Sequence, residues 1–249
     1  MNLFQRQARE RAFTLVELLV IIGIIAVLTG LLLPALAKAR KQANTVKCLS
    51  NMRGMQVAHW MFVGEHGGNI IQAGLSHGGA DANETATWIN TLQPYYENKL
   101  VHRCPSDESP HWPGGVIVPG SGSPGQFRRT SYGINNFLDH DLVPWGGPYK
   151  KITQVKRASS TIQFIEMTEA GSFAGSDHPH VESWHSLLDP ALNPELAAKH
   201  VQIDRHGGPR NRWDSVANYG FLDGHAETLR FRDVFRNFKV NKFDPAVAE

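Results

Sequence analysis

Residues 18–37 read LLVIIGIIAVLTGLLLPALA, twenty residues without a charge. As a helix rising about 1.5 Å per residue, this stretch spans about 30 Å, the thickness of a bilayer core. No other segment of the 249 residues comes near it. Arg6, Arg9 and Arg11 precede it, and Lys38, Arg40, Lys41 and Lys47 follow. The mean hydropathy of −0.30 excludes a chain that crosses the membrane many times. The 25 Lys+Arg and 23 Asp+Glu leave a net charge of +2, too weak a field to gather nucleic acid. An apolar share of 41% excludes a wholly disordered chain.

Three readings of the apolar run compete. A cleavable secretory signal would use Ala35-Leu36-Ala37 as its cut site, but its apolar region is usually only about 7–15 residues long. An ordinary single-span anchor fits the length. Neither accounts for Glu17 at the entrance. A carboxylate at the edge of hydrocarbon costs roughly a few kcal/mol unless it has a partner, so such residues tend to be functional.

The residues around it are Arg11-Ala12-Phe13-Thr14-Leu15-Val16-Glu17. This resembles the cleavage and methylation motif of type IV pilins and type II secretion pseudopilins. In that family a basic leader is cut before a Phe, with a Glu at the fifth mature position and a Pro at the twenty-second. With Phe13 as the first mature residue, Glu17 is the fifth and Pro34 the twenty-second. Ala12 stands where the family normally has Gly. The resemblance implies cleavage between Ala12 and Phe13, N-methylation of Phe13, and assembly roles for Glu17 and Pro34. It also implies an α+β pilin-like fold, in which a long N-terminal helix, transmembrane in its first half, packs on an antiparallel sheet with long loops. The implied divisions are a leader over 1–12, a transmembrane helix over 13–37, an amphipathic continuation over 38–66 and a globular domain over 67–249.

Past the membrane, Val46, Leu49, Met52, Gln56, Trp60 and Val63 recur at three- and four-residue steps, and Gly67-Gly68 ends the pattern. A short helix is expected from Thr85 to Leu92. Strands are expected at 115–118, 129–135, 161–167, 218–222 and 225–231, and a last helix over 232–238. Asp223-Gly224 lies between two alternating runs and reads as a two-residue hairpin turn with both residues at positive φ. With His206 upstream, it resembles the H-X9-DG element of pseudopilin-like families of planctomycetes and verrucomicrobia. Here sixteen residues rather than nine separate His206 from Asp223. The segments around Cys48 (KCLSNMR) and Cys104 (RCPSD) also resemble that family.

The two Cys are too few for a disulfide scaffold and too far apart for a CxxC zinc knuckle. With the basic leader inside, the domain lies outside the cytoplasm, where a Cys48–Cys104 disulfide would persist. Twelve His include His178, His180 and His185 in one stretch. There is no HExxH, EF-hand, phosphate loop or G-x-S-x-G elbow. The resemblance admits calcium, with Asp204, Asp214 and Asp223 as candidate oxygen ligands; otherwise no cofactor is expected. The implied role is a non-enzymatic filament subunit in the inner membrane, single-pass, with an extracytoplasmic C-terminal domain. Its partners would be copies of itself and other pseudopilins, the prepilin peptidase, the inner-membrane secretion platform and the lipid bilayer, with no nucleic acid. The rival reading is a membrane-anchored enzyme or carbohydrate-binding module using the His-rich loops with Trp112, Trp145 and Trp184 exposed.

Overall fold

The computed structural model describes residues 14–74, 87–96, 102–118, 127–139 and 149–249. One helix, α1 (Leu15–Glu65), runs for 51 residues with Pro34 inside it. It begins on a reciprocal cap. Glu17 N–H donates to Thr14 Oγ1 (3.2 Å), while Glu17 Oε2 accepts from Thr14 N–H (2.9 Å) and from the Thr14 hydroxyl (2.8 Å). Thr-x-x-Glu before an apolar run is the sequence mark of this capping box. At the other end, Gly68 N–H donates to Val63 C=O (2.9 Å), and Gly67 takes a φ of 63°. The Gly68 bond satisfies one of the last carbonyls, and the positive φ of both glycines turns the chain away.

The chain divides into two compact units, Met1–Gln42 and Ala43–Glu249. The boundary falls inside α1, so residues 43–65 fold with the globular part. In the first unit, the most apolar 18-residue window of the helix holds no buried residue.

The second unit is built on a four-stranded antiparallel sheet: β1 (Tyr132–Ile134), β2 (Ile162–Glu166), β3 (Val216–Phe221) and β4 (Ala226–Arg230), in that order. One face carries Phe164, Tyr132 and Ile134 against Cys48, Met52 and Met55 of α1 and Trp88 of α2 (Trp88–Leu92). Gly220 lets the helix come close: a Cβ there would stand 3.0 Å from Gln56 Nε2 and 3.3 Å from Phe164 Cβ. The other face carries Ile165, Ala217 and Tyr219 against Val181, Trp184, Phe231, Phe235 and Phe243. The sheet is therefore covered on both sides.

Several expectations are corrected. The buried stripe of α1 runs through Cys48, Met52, Met55, Gln56, His59 and Val63, whereas Val46 and Trp60 are exposed. The bond from Cys48 to Cys104 sets which face turns inward. Residues 115–118 form no strand. Gly115 N–H donates to Trp112 C=O and Val116 N–H to Pro110 C=O, so local turns take the donors a ladder would need. The last helix is a single turn, α3 (Phe231–Val234), followed by a hairpin of β5 (Phe235–Asn237) and β6 (Val240–Asn241). The rings of Phe235 and Phe243 seat on Trp184, at centroid distances of 5.5 and 5.1 Å, which extended chain allows and a helix through 238 would not. The β3–β4 connection is longer than a two-residue turn. Gly224 N–H donates to Phe221 C=O and Phe221 N–H to His225 C=O. Gly224 alone takes positive φ, at 105°, since among the described non-glycine residues only Asn211 does so. The expected helix start at Thr85 lies outside the described residues.

Two buried histidines give the second unit a pH dependence. Burial pushes His59 down to about 3 and His102 down to about 4. The folded chain then holds them neutral while the unfolded chain takes up protons below about pH 6.5. More protons in the unfolded state means stability falls as pH falls, and the loss continues down to the folded values. Between pH 7.5 and 5 each histidine is expected to remove about 2 kcal/mol. Urea midpoints of the full chain in detergent at the two pH values test this. His59→Leu should flatten the slope by its share, and an unchanged slope would refute the assignment.

Candidate functional site

Two sites stand out, one in each unit. In the first unit, Glu17 is the charged residue at the mouth of the apolar run, and its carboxylate is held by the first turn of its own helix through Thr14. Pro34 lies within the continuous helix, where neighbouring helices and local adjustment can satisfy the freed backbone group. Ala12 and Phe13 lie outside the described residues.

The second site is a buried polar centre. It starts at Cys104, which is joined to Cys48 by a disulfide with a Cα–Cα distance of 5.0 Å. Three residues on, the Asp107 carboxylate accepts from Arg128 Nε (2.8 Å), the Ser131 hydroxyl (2.6 Å) and Ser109 N–H (2.9 Å). Ser131 Oγ in turn accepts from Cys104 N–H (2.9 Å). Arg128 spends its other donors on the carbonyls of Thr168, Ala174 and Met167. Arg205 donates to Glu169 and to Met167 C=O and lies 3.5 Å from Glu166 Oε1 and 3.8 Å from Asp107 Oδ2. Glu166, in β2, pairs through Oε1 with His206 Nε2 (2.9 Å) and accepts Asn218 N–H on Oε2 (3.2 Å). Asn218 reaches back to Thr45 C=O on α1 (3.1 Å).

The electrostatics follow from this packing. Burial pushes the Asp107 carboxyl up, but the Arg128 and Arg205 charges, with the Ser131 and Ser109 donors, outweigh it and hold it below its usual value. Burial opposes the charge on Arg205, yet Glu166, Asp107 and Glu169 raise it above its ordinary value. Burial lowers Arg128 to about 10 despite Asp107. All these ions are paired, as burial of charge demands.

The structure thus brings Cys48, Cys104 and His206 together with Glu166. Each offers one ligand atom, and the four atoms lie within 4.8 Å of one another. It does not bring Asp204, Asp214 and Asp223 together. Asp204 accepts from Gln202 Nε2, Asp214 pairs with Arg232 and Arg230, and Asp223 pairs with His225 on the hairpin turn. His206 and Asp223 likewise have separate partners, so the H-X9-DG-like residues serve two places. Gly224 abuts Trp60 of α1: a Cβ there would stand 3.5 Å from the indole nitrogen. In the His-rich stretch, His180 pairs with Glu182, His178 with Asp177, and His200 stacks on Phe173. Trp184 is core rather than exposed, Trp112 is half-buried, and Trp145 lies outside the described residues.

Sequence reasoning missed Asp107, Arg128, Glu166 and Arg205. The readable signal was Glu166, a carboxylate closing the apolar run IQFIE. The disulfide closes a separation of 56 residues, for which the chain-entropy model gives about 4 kcal/mol. The Cys48→Ser/Cys104→Ser chain is expected to lose about that much in denaturant unfolding; a loss below about 1 kcal/mol would refute the constraint.

Comparison with known proteins adds two findings. Residues 7–33 match the model of the prokaryotic N-terminal methylation motif. The chain is similar to the type II secretion system core protein G of Escherichia coli (strain K12), 27% identical over 150 residues, covering 57% of this chain and 96% of that protein. No solved structure gives a significant match. The motif, the α+β fold led by one long helix, and the secretion-system relative together support a structural subunit of the pseudopilin or pilin kind.

Proposed function

We propose that the chain is a structural subunit of a type II secretion pseudopilus or a type IV pilus-like filament. The observation that carries this reading is the register at the head of α1. Phe13, Glu17 and Pro34 stand at the first, fifth and twenty-second positions of a chain cut after Ala12, the first two inside the matched motif and Pro34 one residue past its end. Before cutting, the basic leader holds the N-terminus on the cytoplasmic side and the second unit lies outside the inner membrane. The prepilin peptidase removes residues 1–12 and methylates Phe13. The apolar half of α1 then exchanges lipid for the same helix of neighbouring copies and of other pseudopilins, on the inner-membrane platform. The second unit forms the outer surface, and the chain performs no chemistry of its own. The H-X9-DG-like pair is structural in this reading: His206 anchors the polar centre, and Asp223-Gly224 shapes the turn beside Trp60.

Mass spectrometry of the N-terminal peptide from membrane-extracted protein tests the proposal. The expected terminus is N-methyl-Phe13 in cells with an active prepilin peptidase. An intact Met1, or a terminus at Lys38 from an ordinary signal peptidase, would overturn it. Ala12→Gly should speed the cut, because a peptidase site shaped for Gly tolerates no added methyl without some cost.

A further inference from the structure

We propose that Cys48, Cys104, Glu166 and His206 form a zinc site in the reduced chain, so that a metal ion replaces the disulfide as the clamp between α1 and the domain. The four side chains are buried, and one ligand atom from each lies within 4.8 Å of the others. They offer two sulfurs, an imidazole nitrogen and a carboxylate oxygen, a donor set that zinc accepts in closed tetrahedral sites. With bonds of about 2.0–2.3 Å, the ligand atoms of such a site stand about 3.3–3.8 Å apart. His206 Nε2 and Glu166 Oε1, now at 2.9 Å, need to part by only a few tenths of an ångström. The two sulfurs must separate by more, and loss of the covalent bond permits it.

The surroundings suit a metal. The Glu166 oxygen opposite His206 is already fixed by Asn218 N–H, so the carboxylate is oriented from outside the cluster. Charge also balances: two thiolates cancel the ion, and Glu166 keeps Arg205 beside it. The ligands come from α1, the segment before β1, β2 and the turn before β3, so only the folded chain assembles them.

The exchange is balanced. A dithiol reductant gives two electrons and two protons to the Cys48–Cys104 bond, closing its own disulfide and leaving two thiols. Zinc then takes both sulfurs as thiolates, and their two protons pass to solvent.

The test uses the full chain in detergent micelles, either oxidised or reduced with a dithiol that is then removed without air. Zinc ion alone is added, and uptake is followed by native mass spectrometry and by competition with a chromophoric chelator. The reduced chain is expected to bind one zinc and the oxidised chain none. Reduced Cys48→Ser should lose the site. Reduced His206→Gln should bind more than about tenfold more weakly, the loss that even outer partners of a ligand produce. The melting temperature of oxidised His206→Gln shows separately that this variant folds. If reduction alone unfolds the chain, zinc should restore its melting transition. Equal zinc affinity in reduced wild type and His206→Gln, equal uptake by the oxidised chain, or a reduced chain that zinc neither binds nor refolds would each overturn the site.

Discussion

Glu17→Val is expected to give a chain that is cut, inserted and folded but absent from filaments. Cleavage before Phe13 would create an amine four residues from Glu17, about 6 Å along a helix. In hydrocarbon each charge is costly alone, so the pair gains from meeting, within a chain or between staggered copies, and the pairing selects one stagger. The structure supplies a competing role, since Glu17 is also half of the capping box with Thr14. Two further variants separate the roles. Glu17→Gln keeps a side chain that can cap but has no charge to pair. Thr14→Ala removes the cap, at about 1 kcal/mol, and keeps the charge. If pairing sets the register, the Gln variant fails to assemble and the Thr14 variant assembles nearly as wild type. If Glu17 only caps, the Gln variant assembles and the Thr14 variant shares the defect of Val. Processing and filament incorporation measured in the same cells decide between them.

The second large effect is expected at Asp107. Removing its carboxylate in Asp107→Ala leaves Arg128 and Arg205 facing each other in the interior without their shared counter-charge. Breaking a buried pair by deleting one partner costs about 3–5 kcal/mol, a large part of a domain's total stability. Asp107→Asn keeps one acceptor oxygen, for Ser109 N–H or for the Ser131 hydroxyl but not for both, and should cost somewhat less than Asp107→Ala. The folded carboxyl lies below its usual value, so its contribution is present above the unfolded value of about 3.8 and is lost as pH falls through the lower folded value. Wild type and variant should therefore converge in stability in strong acid. Chemical denaturation of both chains measures the difference at neutral pH, where a gap under about 1 kcal/mol would contradict the role given to Asp107.

What the sequence made legible follows from how local each signal is. The helix was readable because twenty uncharged residues and a Gly-Gly stop lie in one stretch, and β2, β3 and β4 because each is a short consecutive run bounded by turn residues, Asp223-Gly224 between the last two. The polar centre was not. Asp107, Arg128, Glu166 and Arg205 sit far apart in the chain and meet only after the sheet forms, so no spacing announces them. The inward face of α1 was misjudged for a related reason. Gln56 and His59 are buried although polar, while Trp60 is exposed although apolar, and only the partner surface decides that.

The position of Cys48 has a mechanical consequence. It lies in the part of α1 that folds with the second unit, close after the unit boundary at Ala43. A pull on the helix from its N-terminal side therefore meets a covalent anchor before it reaches Met52, Met55 or Val63. The weaker van der Waals contacts downstream carry little of that load, and the helix cannot peel from the sheet one turn at a time. Tension passes instead through the sulfur bridge into the segment that begins the buried ion network, where it is shared among many bonds at once.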